Sequence, residues 1–245
     1  MQLIVIGSSS KGNCYLLRSA TETLILEAGC KFTEVKKALD FDLSSIVGCL
    51  ATHSHLDHLG KVQEFTKAGI NVYSSAGTLS TIDKLTHRHH VVKHGVQFQI
   101  GEFKVLPFSV VHDCLEPLGF LIKHPECGYT VFVTDTMYIP YKFDGLNNLI
   151  VEANYDLDIA TENIANGAPQ AVRDRVLDTH MSIATLIDFL KETDTTTLNN
   201  VVLCHLSDGN SHARNFKKTV QDLLPGKTVT VADKGMVIEL NVTPF

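Results

Sequence analysis

A run of metal-ligand side chains, HSHLDH at residues 53–58, constrains this chain more than any other feature of its sequence. The run follows Ile46–Thr52, a nearly all-apolar segment that predicts a strand buried on both faces. Imidazole nitrogens and a carboxylate suit borderline cations such as zinc, manganese or iron. A lone HxH is more simply interpreted as a solvated turn. Four ligand-type side chains directly after a buried strand instead predict a metal site.

Three further ligand-type residues each follow a predicted strand. His112 ends Phe103–Val111, Asp135 follows Tyr129–Thr134, and His205 follows Val201–Cys204. Strand ends are positions where a scaffold can hold side chains around a common point. The predicted metal ligands are therefore His53, His55, Asp57, His58, His112, Asp135 and His205. Such a set fits two divalent cations, zinc or manganese, about 3.5–4 Å apart, with Asp135 placed to bridge them.

The remaining pattern predicts one domain over residues 1–245, because no linker, charge block or short repeat divides the chain. Strands and helices alternate in a mixed order, which allows two sheets to stack with helices outside. Thr228–Ala232 and Met236–Leu240 are predicted to close the fold as a hairpin. The histidine-rich stretch 87–94 is predicted to be a polar surface loop.

The order HSHLDH, His112, Asp135, His205 resembles the metallo-β-lactamase superfamily of metallohydrolases over essentially the whole chain. The resemblance implies an α+β fold, a four-layer αββα sandwich with a dinuclear site at its edge. By the same resemblance, one metal is held by His53, His55 and His112, the other by Asp57, His58 and His205, and Asp135 bridges. Glu27 stands in LILEAG where the superfamily usually has Asp, and it is expected to hydrogen-bond a ligand histidine from behind.

Two residues between the later ligands indicate which reaction this site performs. Glu152 ends a strand in LIVEAN, and His180 precedes a helix capped by Ser182. This arrangement is similar to ribonuclease Z and related phosphodiesterases, in which the glutamate orients a histidine that protonates the leaving oxygen. Asp57, Glu152 and His180 are thus the predicted catalytic residues. The alternative is a helix-capping or surface histidine beside a solvated strand end.

The N-terminal GSSSKGNCYLL and the late HLSDGNS resemble the WalJ/YycJ branch, which implies exonuclease-like activity on DNA. Lys11, Asn13, Ser207 and Asn210 are the substrate contacts expected from these loops, with ordinary turns as the equal alternative. The net charge of -6 excludes a generally basic nucleic-acid surface. It favours single strands, strand ends or nucleotides as substrates.

Two other enzymatic functions and one non-enzymatic function stay open at this point. The chain also resembles compact phage metallohydrolases, including anti-Pycsar enzymes that cleave cyclic mononucleotides. A thiolester or lactone hydrolase of the glyoxalase II type would use a similar ligand set, with no need for His180. A non-catalytic binding module is disfavoured because all seven ligands are present.

The expected setting of the protein follows from its composition. No apolar run approaches about 20 residues, so no membrane span is expected. Six widely spaced cysteines indicate reduced thiols and a cytoplasmic protein, in the bacterial host if the chain is phage-encoded. Related phosphodiesterases are often dimers, which favours a homodimer.

Overall fold

Two seven-stranded sheets and flanking helices make up the part of the chain that the computed structural model describes, residues 1–242 with the backbone alone at 172 and 173. The strands are β1 Gln2–Gly7, β2 Cys14–Arg18, β3 Thr23–Leu26, β4 Ile46–Leu50, β5 Val72–Ser74, β6 His89–Val91, β7 Phe98–Ile100, β8 Phe103–Ser109, β9 Leu118–His124, β10 Gly128–Val133, β11 Leu146–Glu152, β12 Asn200–Cys204, β13 Thr228–Val231 and β14 Val237–Glu239. The helices are α1 Phe32–Ala38, α2 Leu56–Leu59, α3 Val62–Lys67, α4 Ala76–Ser80, α5 Leu157–Ala165, α6 Gln170–Thr179, α7 Ile183–Glu192 and α8 Ala213–Leu223.

Each sheet combines an antiparallel part with a parallel part. The first sheet has the order β14-β1-β2-β3-β4-β5-β6, and β3 to β6 pair in parallel. The second has the order β13-β12-β11-β10-β9-β8-β7, and β10 to β13 pair in parallel. Helices join the successive parallel strands, except that the connection from β10 to β11, residues 134–145, contains no helix.

Three apolar clusters define four layers. Between the sheets, Tyr15 of β2 contacts Phe132 of β10 edge to face, with ring centroids 5.7 Å apart. On the outer face of the first sheet, Phe32 of α1 and Phe65 of α3 pack with centroids 4.8 Å apart. The outer face of the second sheet is covered by α7 and α8 through residues such as Leu186 and Val220. The architecture is thus the αββα sandwich, in agreement with the fold expected from the sequence.

Strands β13 and β14 do not form the expected hairpin. β13 pairs with β12 in the second sheet, whereas β14 pairs with β1 in the first. The connection between them is held by β1, because Val5 donates to the Met236 carbonyl at 2.9 Å and accepts from Gly235 at 2.8 Å. Two short apolar strands around a Gly-containing turn have the same local pattern whether they pair with each other or with edges of two sheets. The hairpin prediction was therefore wrong for a reason that lies outside the local pattern.

The histidine-rich stretch also differs from its prediction. Residues 89–91 form β6, an edge strand paired in parallel with β5, and not a loop. The ring of His90 stacks on Tyr73 with centroids 4.8 Å apart. The stretch therefore contributes to a sheet edge.

A single domain was predicted over residues 1–245, of which residues 243–245 lie outside the described part. The domain organisation stays a prediction.

Candidate metal centre

The predicted ligands collect at one edge of the sandwich because their strands point the same way. His53 follows β4, Asp135 follows β10 and His205 follows β12, each at the carboxyl end of a strand in a parallel set. β8 is antiparallel to β9, and β9 is antiparallel to β10, so β8 runs parallel to β10 and delivers His112 to the same edge. Carboxyl ends of parallel strands meet at one edge, which is where sites form in such sheets.

The HSHLDH loop is held against the first sheet by backbone contacts. The amide of Ala28 donates to the carbonyl of His58 at 2.7 Å, and the amide of Asn13 donates to the carbonyl of Asp57 at 2.7 Å. A Cβ at Gly29 would lie 1.7 Å from that Asp57 oxygen, so only glycine permits this approach. The loop then enters the short helix α2 with His55 at its N-cap.

Two overlapping groups of ligand atoms result. His53, His55, His112 and Asp135 form one group, and Asp57, His58, Asp135 and His205 form the other, each with ligand atoms within 4.8 Å of one another. All seven predicted metal ligands are therefore brought together. Asp135 belongs to both groups, as a bridging carboxylate must.

Asp135 presents its two oxygens to different histidines. Its Oδ2 lies 3.6 Å from His53 Nε2, 3.4 Å from His58 Nε2 and 3.7 Å from His112 Nε2. Its Oδ1 lies 3.5 Å from His205 Nε2. These separations are wider than direct hydrogen bonds, which leaves the space between them for a cation.

The state of His53 tests whether a cation fits. Its Nδ1 is 2.8 Å from Thr52 Oγ1, and that hydroxyl donates to Glu27 Oε1 at 2.6 Å. The hydroxyl proton is used on Glu27, so the Thr52 oxygen accepts from His53 Nδ1 and leaves Nε2 with a lone pair. This Nε2 is buried and has no hydrogen-bond partner within the described residues. A buried, unpaired imidazole nitrogen aimed at a carboxylate fits a metal ligand.

Glu27 thus lies behind the histidines. Its contact with Thr52 is direct, and its Oε1 is 3.5 Å from Nδ1 of His58. A longer side chain than Asp reaches both groups from the end of β3. Glu27 therefore reaches His53 through Thr52 and not by the direct hydrogen bond expected, and its supporting role stays a prediction.

The electrostatics favour bound cations. Burial lowers the pKa of His53 and of His112, so both rings stay neutral, as ligation requires. Burial raises the pKa of the Asp57 and Asp135 carboxyls, but the neighbouring histidines outweigh it and hold both pKa values well below their usual range. Burial lowers the pKa of His58 and of His205, but Asp135 outweighs it and raises both values, so a cation at these two rings would displace their protons.

His180 and Glu152 form a pair beside these groups, and they share a third group of ligand-type atoms with Asp135 and His205. Nδ1 of His180 lies 2.5 Å from Glu152 Oε1. The other oxygen of Glu152 accepts from the amides of Thr136 at 3.0 Å and Met181 at 3.2 Å, so the buried carboxylate cannot rotate away. Burial lowers the pKa of His180, but Glu152 outweighs it and raises that pKa to about 9.

Backbone strain accompanies the site. Glu27, Asp135 and His205 adopt φ angles of 70°, 51° and 51°, in the left-handed region that non-glycine residues seldom occupy. Glu27 and His205 directly follow β3 and β12, and Asp135 lies two residues after the end of β10. Such strain persists where the surrounding structure over-determines it, which is commonly at functional sites.

A cleft of about 860 Å³ opens next to His205 and contains part of the expected substrate contacts. Lys11 and Ser207 line it, together with Ser8 and Lys234. Ser8 Oγ accepts from the His205 amide at 3.1 Å, so the cleft adjoins the metal centre. Lys11 is exposed, and its ammonium is 3.5 Å from Asp208.

The other two expected substrate contacts have different surroundings. Asn13 is fully buried, and its amide lies 3.3 Å from Asp57 Oδ2 and 3.1 Å from His58 Nε2, so it faces ligands and not solvent. Asn210 accepts from the side chain of Asn163 in α5 at 2.9 Å. Asn13 thus lies behind the predicted ligands, and the substrate contacts expected of Asn13 and Asn210 stay predictions.

Several residues that contact the predicted ligands were not identified from the sequence. Asp113 follows His112 directly, and its Oδ1 is 3.3 Å from His112 Nε2. Asn154, in LIVEAN, donates to the His205 carbonyl at 2.9 Å. The adjacent H-D pair at 112–113 was a usable signal, because it mirrors the D-H pair of HSHLDH. Nothing local distinguished Thr52 or Asn154.

Another ligand-type group, Glu22, Glu102 and His124, lies outside this edge. Nδ1 of His124 accepts from the Glu126 amide at 3.2 Å, so the ring proton is on Nε2. That nitrogen has no lone pair for a cation, in contrast to Nε2 of His53 in the metal centre.

Comparison with known proteins supports the architecture. The sequence model of one family, described as the beta-lactamase superfamily domain, matches residues 27–206. The exodeoxyribonuclease WalJ of two Streptococcus pneumoniae strains is 24% identical over 170 residues, which cover 63% of this chain and 63% of WalJ. The aligned part thus spans less than two thirds of that relative.

Solved structures are similar over nearly the whole chain. The metallo-beta-lactamase fold protein YhfI of Bacillus subtilis superimposes with a TM-score of 0.72 at 16% identity, covering 97% of this chain and 99% of YhfI. Unliganded yeast PDE1 superimposes with a TM-score of 0.70 at 10% identity, covering 96% and 98%. At such identities these likenesses show the fold.

Proposed function

The chain belongs to the beta-lactamase superfamily, and on that premise we propose that it is a phosphodiesterase acting on nucleic acid or nucleotides with two divalent cations. The observation that carries this proposal is the His180–Glu152 pair beside the ligand cluster. The exodeoxyribonuclease activity named for WalJ supports the same substrate class.

The two ligand groups support two cation sites. His53, His55, His112 and Asp135 would hold one cation, and Asp57, His58, His205 and Asp135 the other. Zinc or manganese suits these donors. When bound, two such cations supply an activated water and stabilise charge on a phosphoryl group.

The chain's own residues then handle the leaving group. Hydrolysis breaks a P–O bond, and the departing alkoxide needs a proton. His180, with its pKa raised to about 9, carries protons on both nitrogens at neutral pH. Nδ1–H stays on Glu152 while Nε2–H is given to the leaving oxygen. The products are a phosphomonoester and an alcohol.

His180→Ala tests this assignment. Kcat on an oligonucleotide, which leaves as an alkoxide, is expected to fall about 100-fold or more, since general acids contribute about 10²–10⁴-fold. Bis(p-nitrophenyl) phosphate releases an anion that is already stable, so its turnover should change little. Both rates are measured by chromatography or absorbance on protein of equal cation content.

The alternative functions predict different results in these assays. Equal turnover of the oligonucleotide by wild type and His180→Ala would remove the general-acid role. Hydrolysis of thiolesters or lactones with no action on any phosphodiester would favour a glyoxalase II-type enzyme.

Among the described residues no helix has the length and apolarity needed to cross a bilayer. The cytoplasmic location and the homodimer remain predictions.

A further inference from the structure

Helix α6 brings three groups to the rim of the metal centre. Its last residue, Thr179, accepts from Nδ1 of His112 at 2.8 Å through its carbonyl. The next residue is His180, the proposed acid. One turn before Thr179 lies Arg175, whose carbonyl accepts from the Thr179 hydroxyl at 2.7 Å. The helix that positions a ligand and the acid therefore also positions an arginine.

Asp113 holds that arginine beside the ligands. Its Oδ1 lies 3.3 Å from Nε2 of His112 and 3.5 Å from Nε2 of His55. Its Oδ2 lies 3.4 Å from Nε of Arg175. The guanidinium is thus one carboxylate further out than the cation ligands.

The charge around this rim explains why an arginine there is useful. The edge carries the carboxylates of Asp57, Asp113, Asp135 and Glu152, in a chain of net charge -6. These carboxylates repel an approaching polyanion wherever bound cations do not neutralise them. The side chain of Arg175 is 65% exposed, and Asp113 engages its Nε. A planar guanidinium binds carboxylate and phosphate with the same fork geometry, so a phosphate can replace Asp113.

We propose that Arg175 binds a second phosphate of the substrate, adjacent to the one that is cleaved. The inference rests on the proposed function and deepens it. A guanidinium displaced outward by one carboxylate is placed for a neighbouring phosphate and not for the scissile one, whose oxygens belong at the cation ligands. The substrate class is then a strand with consecutive phosphates, since a cyclic mononucleotide has no second phosphate to offer.

A matched pair of substrates tests this role. A thymidine dinucleotide has one phosphodiester, a thymidine tetranucleotide has three, and both release the same kind of alkoxide. Wild type should prefer the tetranucleotide in kcat/KM by about tenfold, the effect of one charge-assisted contact. In Arg175→Gln this preference should disappear through a higher KM for the tetranucleotide. Arg175→Lys should keep part of it.

Lys191→Gln is the control. Lys191 is also an exposed cation, 57% exposed, and pairs with Asp188 at 3.2 Å on α7. Its loss removes the same formal charge, so the preference for the tetranucleotide should persist. A loss of preference in both variants would mean that net charge alone acts, and would overturn the role of Arg175.

Binding gives a readout that does not need turnover. A labelled phosphorothioate tetranucleotide, which resists hydrolysis, should bind Arg175→Gln about tenfold more weakly than wild type in fluorescence anisotropy. If wild type binds it in this Arg175-dependent way yet hydrolyses no phosphodiester, the proposed function fails, and only the contact of Arg175 with a phosphate of the strand stands. An unchanged preference and affinity in Arg175→Gln, or faster opening of cyclic mononucleotides than of the tetranucleotide by wild type, would overturn the inference.

Discussion

The residue with the clearest chemical assignment is His180, because one neighbour decides its protonation. Glu152 is buried and locked by two backbone amides, and it raises the pKa of His180 to about 9 against the effect of burial. An exposed histidine with an ordinary pKa near 6.5 would be mostly neutral at physiological pH. Under the proposed function, the pair provides a proton donor at a pH where free imidazole is mostly neutral.

Glu152→Gln should move the alkaline limit of activity. A general acid works while it is protonated, so kcat holds below its pKa and falls as pH rises through it. Removing the carboxylate lowers the pKa of His180, and the alkaline limb of the kcat profile should shift to lower pH. Gln keeps a carbonyl oxygen for the Thr136 and Met181 amides, which limits structural change.

The measurement is kcat against pH for both proteins on an oligonucleotide, with cation content determined in parallel. His180→Ala is the control, since its profile should lack this limb. If Glu152→Gln has the wild-type profile, the proton donor is another group.

At the scale of the element, the loop 53–59 depends on a close backbone approach. Gly29 faces the carbonyl of Asp57 at a distance that no Cβ can occupy. The same loop receives hydrogen bonds from Ala28 and Asn13. The geometry of two predicted ligands, Asp57 and His58, is thus coupled to a glycine in another segment.

Gly29→Ala should therefore displace the loop. Overpacking costs about 1–3 kcal/mol, and the free energy of unfolding should fall by at least that much. Cation affinity should also fall, because Asp57 and His58 move. Gly209→Ala is the matched control, since a Cβ there meets nothing within 4 Å. Urea unfolding and cation titration of both variants check this, and equal behaviour of the two would contradict the coupling.

At the scale of the whole molecule, the metal centre joins the two sheets. Loops of the first sheet carry the HSHLDH ligands, whereas loops of the second carry His112, Asp135 and His205. The sheets also meet through the contact of Tyr15 with Phe132. The hydroxyl of Tyr15 donates to Ser8 at 2.9 Å, and Ser8 in turn accepts from His205. Core packing and the site are therefore physically continuous.

Binding of zinc or manganese should raise the thermal stability of the whole chain. A cation at 100 times its Kd adds about 2.7 kcal/mol, which corresponds to a rise in Tm of about 5–10 °C for a chain of this size. Chelation should reverse the rise. Asp135→Ala, which removes the carboxylate shared by both groups, should unfold cooperatively but show little response to cations. A wild-type Tm that is indifferent to zinc, manganese and chelator would refute the cation sites.

Much of the site was accessible to sequence reasoning because its chemistry is local in the chain. HSHLDH is contiguous, and each later ligand directly follows a strongly apolar strand. Glu152 and His180 were likewise marked by a strand end and by the Ser182 cap, which accepts from the Thr185 amide at 3.0 Å. Patterns of this kind depend on neighbours in sequence.

The sequence by itself determined most of the strands, the ligand types and, by resemblance, the sandwich. Only the tertiary structure decided that β13 and β14 join different sheets, that Thr52 connects Glu27 to His53, and that Asp113 meets Arg175 across 62 residues of chain. The physical reason is that these contacts join segments far apart in the sequence. Hydrophobic periodicity reports which face of an element is buried, but not which distant element buries it. Hydrogen bonds between side chains far apart in sequence exist only once that packing is complete.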